Sequence, residues 1–179
     1  MSETYKMTIA GCERELPLCP INEKVSIGAF IIFGDVELTI NAAKELIEKC
    51  PEFDYIITPE AKSIPLAYEM SRQSGKPYIV CRKKEKLYMK NPISVSVKSI
   101  TTSTTQTVYF DQTDADKITN KRVLIIDDVI STGESLAAVE KLLEKCDTNI
   151  VGRAAILAEG DAADRKDIIF LEKLPLFVK

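Results

Sequence analysis

Four consecutive apolar residues, Val123-Leu124-Ile125-Ile126, run directly into Asp127-Asp128 and then into Ser131-Thr132-Gly133-Glu134-Ser135. A strand with no polar position is buried on both faces, and a chain satisfies it by laying helices over both sides of a parallel sheet. The flanking sequence repeats the theme. Tyr55–Thr58, Tyr78–Cys81 and Ile150–Leu157 read as further short strands, with helical spacing over Pro65–Ser74 and Leu136–Lys145 and a turn at Ser74-Gly75-Lys76-Pro77. Val25–Phe33, interrupted only by Ser26 and Gly28, reads as another buried strand. Asp35 stands as N-cap of a helix reaching about Cys50, with Val36, Ile40, Ala43 and Ile47 on one face and Pro51 beyond its end. The predicted fold is α/β: an open, mainly parallel twisted sheet flanked by helices.

Two regions fall outside this alternation. Residues 1–24, with Pro17 and Pro20, are irregular apart from some strand-like alternation. Between Arg82 and Lys121 lies a long polar stretch with strand character at Ser94–Lys98 and Thr107–Phe110. A stretch of that length usually serves as an active-site flap or hairpin.

Composition narrows the chemistry. The 179 residues suit one domain, and 45% hydrophobic content is enough for a real core. There is no histidine, which removes Ser-His-Asp hydrolysis, Cys-His proteolysis and histidine-based zinc sites. With 24 basic against 27 acidic side chains, a phosphate-neutralising nucleic-acid binder is not expected. The five cysteines, 12, 19, 50, 81 and 146, include no C-x-x-C pair, so reduced thiols are expected rather than a zinc ribbon or a disulfide framework. The N-terminus lacks a signal-peptide pattern, and no apolar run approaches the roughly 18 residues of a membrane span. A soluble cytoplasmic protein without a membrane partner is expected.

In open α/β sheets ligands bind at the carboxyl ends of the strands, where Asp127 and Asp128 stand. The small-residue turn 131–135 at a helix N-terminus offers backbone N–H groups, hydroxyls and a positive dipole end, which together suit a phosphate. It lacks the lysine and spacing of a nucleoside-triphosphate P-loop. A phosphate cradle beside two carboxylates fits a ligand carrying both a phosphate and vicinal hydroxyls. The same carboxylates can stabilise positive charge developing on a sugar ring. Arg82, Lys83, Lys84, Lys86 and Lys90 stand against a single Glu85, a local charge of +4 suited to a polyanion. Seven of the nine residues Ser99–Thr107 carry hydroxyls, a composition that buries little and suits a water-excluding lid.

The apolar strand, Asp-Asp, three residues and Thr-Gly resemble the signature by which type I phosphoribosyltransferases bind 5-phosphoribosyl 1-pyrophosphate (PRPP). The likeness covers about residues 20–177 and is nearest the adenine phosphoribosyltransferase branch. Glu60-Ala61-Lys62-Ser63 is similar to that branch's pyrophosphate loop, and Arg82–Leu87 to its basic segment. The resemblance implies transfer of ribose 5-phosphate to a purine, adenine first and hypoxanthine, guanine or xanthine next, with release of pyrophosphate. It implies Asp127 and Asp128 at the ribose, Ser131, Thr132, Gly133, Glu134 and Ser135 at the 5-phosphate, and Glu60, Ala61, Lys62, Ser63, Arg82, Lys84 and Lys86 at pyrophosphate. Mg2+ would be carried mainly by PRPP and meet Asp127 or Asp128 through water. A single domain over 1–179 would use about 1–34 and 158–179 as a hood and about 83–110 as a flap, in a homodimer.

Three features qualify that expectation. The stretch Ser99–Gln106 lacks the carboxylate that the adenine enzymes carry on the flap, and Lys62 and Ser63 replace arginine and glycine. Lysine keeps the charge and loses the bidentate fork. Phe33, Ile130 and Glu159 are candidates for the base; Phe30 or Phe33 could stack on it, although a buried strand phenylalanine is more often plain core, and Glu159 can equally be a surface charge. A PRPP-binding regulator without catalysis is the second reading, but residues 1–50 contain no basic helix-turn-helix pattern. A response-regulator receiver is disfavoured, because only 51 residues follow Asp128.

Overall fold

The computed structural model describes residues 3–98 and 105–178. Near the N-terminus the alternation is that of a true hairpin: β1 (Thr4–Ile9) pairs antiparallel with β2 (Cys12–Pro20). Its two turn residues, Ala10 and Gly11, both take positive φ, 48° and 75°, as a tight two-residue hairpin loop requires. β3 (Val25–Gly28) adds to β2 and is shorter than the expected strand Val25–Phe33. The ladder stops because the Ala29 amide donates to the Pro17 carbonyl at 2.8 Å, while Pro17 has no N–H to return. The two-residue alternation outlives the ladder: Phe30 and Ile32 are buried, whereas Ile31 and Phe33 are 62% and 54% exposed.

Asp35 caps α1 (Val36–Lys49) by accepting the Leu38 amide at 3.1 Å. The buried stripe of this helix is Leu38, Ala42, Ala43 and Leu46. That corrects the expected face, since Val36 and Ile40 are exposed. Both stripes obey helical spacing and share Ala43; packing against the sheet and the next helix, which no local pattern encodes, selects between them. β4 (Tyr55–Pro59), α2 (Ile64–Ser74) and β5 (Tyr78–Cys81) follow, then an antiparallel hairpin of β6 (Ile93–Lys98) and β7 (Thr105–Phe110). The hydroxyl-rich positions 99–104 lie outside the described residues. α3 (Gln112–Ile118), capped by Asp111, was not anticipated: it is polar, with only Ala115 and Ile118 buried. β8 (Arg122–Ile130), α4 (Glu134–Leu143), β9 (Asn149–Glu159), β10 (Ile169–Leu174) and β11 (Leu176–Val178) complete the chain.

The main sheet has the order β10-β9-β8-β4-β5, every neighbouring pair parallel. β8 shows why an unbroken apolar run was needed. Leu124 and Ile126 join the core that contains Leu38, Leu66 and Met70, while Val123 and Ile125 join the opposite core with Phe110, Ile118 and Leu142. A second sheet, β1-β2-β3-β11, gathers both ends of the chain. It curls enough for Tyr5 on β1 and Phe177 on β11 to meet edge to face at 4.9 Å. The β6–β7 hairpin packs on α4, and Lys145 Nζ donates to the Ser94 carbonyl at 2.8 Å. No helix among the described residues is long and apolar enough to cross a membrane. All five cysteines are unpaired.

Candidate active site

β8 does not end at its apolar run. The parallel ladder to β9 continues through Asp127↔Ala155 and Val129↔Leu157 to Ile130↔Ala158, so both carboxylates are held on a strand rather than on the loop after it. The chain then turns through Ser131, Thr132 and Gly133 into α4. Gly133 is the N-cap at φ 79°, and no side chain caps the helix there. The Glu134 amide lies 3.5 Å from Thr132 Oγ1. Asp127, Val129, Ile130 and residues 131–136 enclose a cavity of about 100 Å3. It has the size of a small anion and stands at the positive end of a helix.

Asp127 and Asp128 occupy different surroundings. The Asp128 amide donates to Asp127 Oδ1 at 2.9 Å. Asp127, half-buried at the cavity, has its pKa pushed well above the carboxylate range, first by loss of water and then by the neighbouring Asp128 charge. The hydrogen bond from the Asp128 amide pulls the other way. Asp128 is 3% exposed, and its Oδ2 lies 3.0 Å from Lys62 Nζ without an aligned hydrogen bond. Lys62 itself is half exposed.

Lys62 stands on the loop between β4 and α2, which includes a cis Glu60–Ala61 peptide. Ser63 is buried with its hydroxyl occupied internally: it accepts from Thr58 Oγ1 at 2.7 Å and donates to the Pro59 carbonyl at 3.1 Å. Its side chain therefore shapes the loop. Glu60 faces the basic segment after β5. Its Oε2 accepts the Lys83 amide at 3.0 Å and lies 3.3 Å from Arg82 Nε. The Lys83 amide, then Arg82 and Lys86, hold the Glu60 pKa below its usual value. Arg82 is also fixed through its backbone, which exchanges two hydrogen bonds with Tyr109 on β7. Lys84 is exposed and Lys86 half-buried.

Of the base candidates, Ile130 is buried and borders the same cavity. Glu159, half-buried, ends β9 one residue beyond Ala158, the partner of Ile130. Phe33 lies on the segment leading into α1, and Phe30 is core. Sequence reasoning missed Arg165, whose Nη1 reaches the Gly133 turn. Its setting, Ala163-Asp164-Arg165-Lys166-Asp167, reads as a solvated charge cluster, and only tertiary structure reveals the contact. Among the described residues no group of three or more His, Cys, Asp or Glu side chains gathers as a metal site. Asp127 and Asp128 nevertheless fit Mg2+ as a partial set of hard oxygen donors, with one Asp128 oxygen lacking an aligned donor. Mg2+ is commonly held by one or two carboxylates, with water and substrate phosphates supplying the rest.

Residues 36–175 match the family model described as phosphoribosyl transferase domain. The chain is 33% identical over 112 residues to a hypoxanthine/guanine phosphoribosyltransferase of Methanococcus voltae, covering 63% of this chain and 56% of that protein. It is 32% identical over 135 residues to an adenine phosphoribosyltransferase of Kosmotoga olearia, covering 75% and 76%. In fold it is similar to an adenine phosphoribosyltransferase of Thermoanaerobacter pseudethanolicus, with TM-score 0.71, 21% identity and coverage of 88% of this chain and 95% of that one.

Proposed function

The chain belongs to the phosphoribosyl transferase domain family, and on that premise we propose that it is a purine phosphoribosyltransferase acting on PRPP, with adenine as the base. One observation carries the reading. Asp127 and Asp128 run through a three-residue turn into the N-terminus of α4, and Lys62 from the neighbouring strand's loop reaches Asp128 at 3.0 Å. In this reading the phosphate, diol and pyrophosphate sites lie side by side in the order PRPP presents those groups.

In this reading the amides and hydroxyls of Ser131, Thr132, Gly133, Glu134 and Ser135 hold the 5-phosphate. Asp128, and Asp127 once the bound cations have drawn off its proton, accept from the ribose hydroxyls and stabilise positive charge on the ring as it develops. Lys62, Arg82, Lys84 and Lys86, on loops organised by Glu60, Ala61 and Ser63, attract the pyrophosphate. Asp127 or Asp128 would meet, through water, Mg2+ carried by PRPP, which when bound would supply charge neutralisation at the leaving group. The purine nitrogen's electron pair forms the new bond to the sugar carbon as the carbon–oxygen bond to pyrophosphate breaks and its electrons leave with the pyrophosphate, while the imidazole-ring proton of the base passes to water or to the departing pyrophosphate. No protein nucleophile takes part. The segment of about 83–110 acts as a flap, while about 1–34 and 158–179, the stretches that contribute the curled sheet, act as a hood over a base flanked by Phe33, Ile130 and Glu159. Adenine is preferred because the adenine enzyme of Kosmotoga olearia aligns over 75% of this chain. A homodimer in the cytoplasm, working in purine salvage, completes the proposal.

The test is pyrophosphate release by the purified protein with PRPP and Mg2+, against adenine, hypoxanthine, guanine and xanthine separately. Release with adenine alone is expected. Release with hypoxanthine or guanine instead would reassign the base, and saturable PRPP binding without release would identify a regulator.

A further inference from the structure

Arg165 follows the short helical turn Gly160–Asp164 that links β9 to β10. Asp167 holds two of its three guanidinium nitrogens, Nε to Oδ1 at 3.0 Å and Nη2 to Oδ2 at 2.7 Å. The third, Nη1, is aimed at the phosphate-binding turn: a Cβ built on Gly133 would stand 2.7 Å from it. At φ 79° Gly133 already favours glycine, and this contact adds a second reason, since any side chain would displace the guanidinium. Arg165 meets the turn at Gly133 and is not among the residues that line the cavity formed by Asp127 and residues 131–136. A second ion pair, Arg153 of β9 with Glu140 of α4, ties the same helix to β9.

Resting on the transferase reading, we infer that Arg165 is a positioning residue for the 5-phosphate: tethered by Asp167, its guanidinium seats against Gly133, fixes the turn and adds positive charge at the anion-binding end of α4. Two forces act together. The fork to Asp167 restricts the arginine rotamers, so the turn meets a preformed support. The remaining nitrogen puts a cation beside the helix N-terminus, where it reinforces the dipole toward a phosphate. The link also joins the segment carrying Glu159 to the phosphate end of the site, six residues apart in sequence.

The test is calorimetric binding of ribose 5-phosphate and, separately, inorganic pyrophosphate to the native protein, Arg165→Met and Asp167→Asn, together with steady-state kinetics. Arg165→Met should weaken ribose 5-phosphate and raise the KM for PRPP about tenfold, the order expected for losing one nearby partly screened cation's attraction for the phosphate. Pyrophosphate affinity, the KM for the base and kcat should stay within about twofold, because those contacts lie elsewhere. Asp167→Asn loosens the tether while removing the opposing charge, so its ribose 5-phosphate affinity should change by less than that of Arg165→Met. Unchanged ribose 5-phosphate affinity in both variants overturns the inference and leaves the transferase reading intact. Equal weakening of pyrophosphate, accompanied by a lower Tm, also overturns it, since the arginine would then serve only the fold. If Arg165→Met loses ribose 5-phosphate but the native protein releases no pyrophosphate with any base, the inference stands and the transferase reading falls. Native protein that binds neither ligand overturns both.

Discussion

Asp127 is held where a carboxylate ionises with difficulty, withdrawn from water and beside the charge of Asp128. Its folded-state pKa therefore lies above the unfolded one. Between the ordinary carboxylate range and that raised value the folded protein keeps a proton that the unfolded chain has released, so this group's contribution to stability is lost as pH rises through the interval. Asp127→Asn should raise Tm at pH 8 and change it little at pH 4, while turnover falls by orders of magnitude. Each kcal/mol relieved is worth about 2–4 °C in a domain of this size. Thermal melts at the two pH values check it; an asparagine that lowers Tm at pH 8 would mean that the carboxylate is well satisfied. Lys62 has the opposite standing. Removing its ammonium leaves Asp128 buried without its cation, and Lys62→Met should destabilise the protein by about 1–2 kcal/mol, a figure reduced because Lys62 is half exposed. The double variant Lys62→Met with Asp128→Asn should recover most of that loss in a double-mutant cycle. Asp127, Asp128 and the turn were legible because their chemistry is contiguous in the chain. The Lys62–Asp128 pair and the Arg165–Gly133 contact were not, since each joins residues that only the folded sheet brings together.

At the scale of elements, the same division between local and distant determinants explains what could be read. β8 and its neighbours were legible because burial on both faces forces an unbroken apolar run, and the structure divides that run between two cores. The end of β3 was not, because it depends on Pro17 in the partner strand. The buried face of α1 was not either, because two apolar stripes compete and distant packing chooses. α3 buries too little to leave a periodic signal. The junction between the curled sheet and α1 shows how such a distant determinant is fixed. Arg14 on β2 reaches Asp35 through Nε at 2.6 Å and Nη2 at 2.9 Å, and Nη2 also meets Glu37 at 2.9 Å. Asp35 is at once the helix cap and the arginine's partner, and Arg14 is the main cause of its lowered pKa. That stabilisation is fully present above the ordinary aspartate pKa and is lost as pH falls through the depressed folded value. Arg14→Met should cost about 1–2 kcal/mol at pH 7 and flatten the acid limb of the stability profile. Denaturant titrations from pH 3 to pH 7 would show it; an acid limb as steep as that of the native protein would sink the clamp.

At the scale of the whole molecule, both chain ends converge in the curled sheet, where β11 pairs with β3 and Phe177 meets Tyr5. That sheet leaves the outer side of α1 and α2 uncovered. There Val36, at 67% exposure, Ile40 and Tyr68 flank a groove continued by Ile64 and Pro65. An apolar groove of this kind on an otherwise charged protein suits a second copy of the chain, which presents the same surface in return. The position matters as much as the composition, because Ile64 and Pro65 directly follow Lys62 and Ser63. A partner seated in the groove would immobilise the loop that carries Lys62, so assembly and activity should be linked. Sedimentation equilibrium should therefore find the native protein dimeric at micromolar concentration. Tyr68→Glu should shift it toward monomer and reduce turnover together, with recovery of both at higher protein concentration. A native protein that sediments as a monomer, or a Tyr68→Glu variant that stays dimeric with native turnover, would place the second copy on another face.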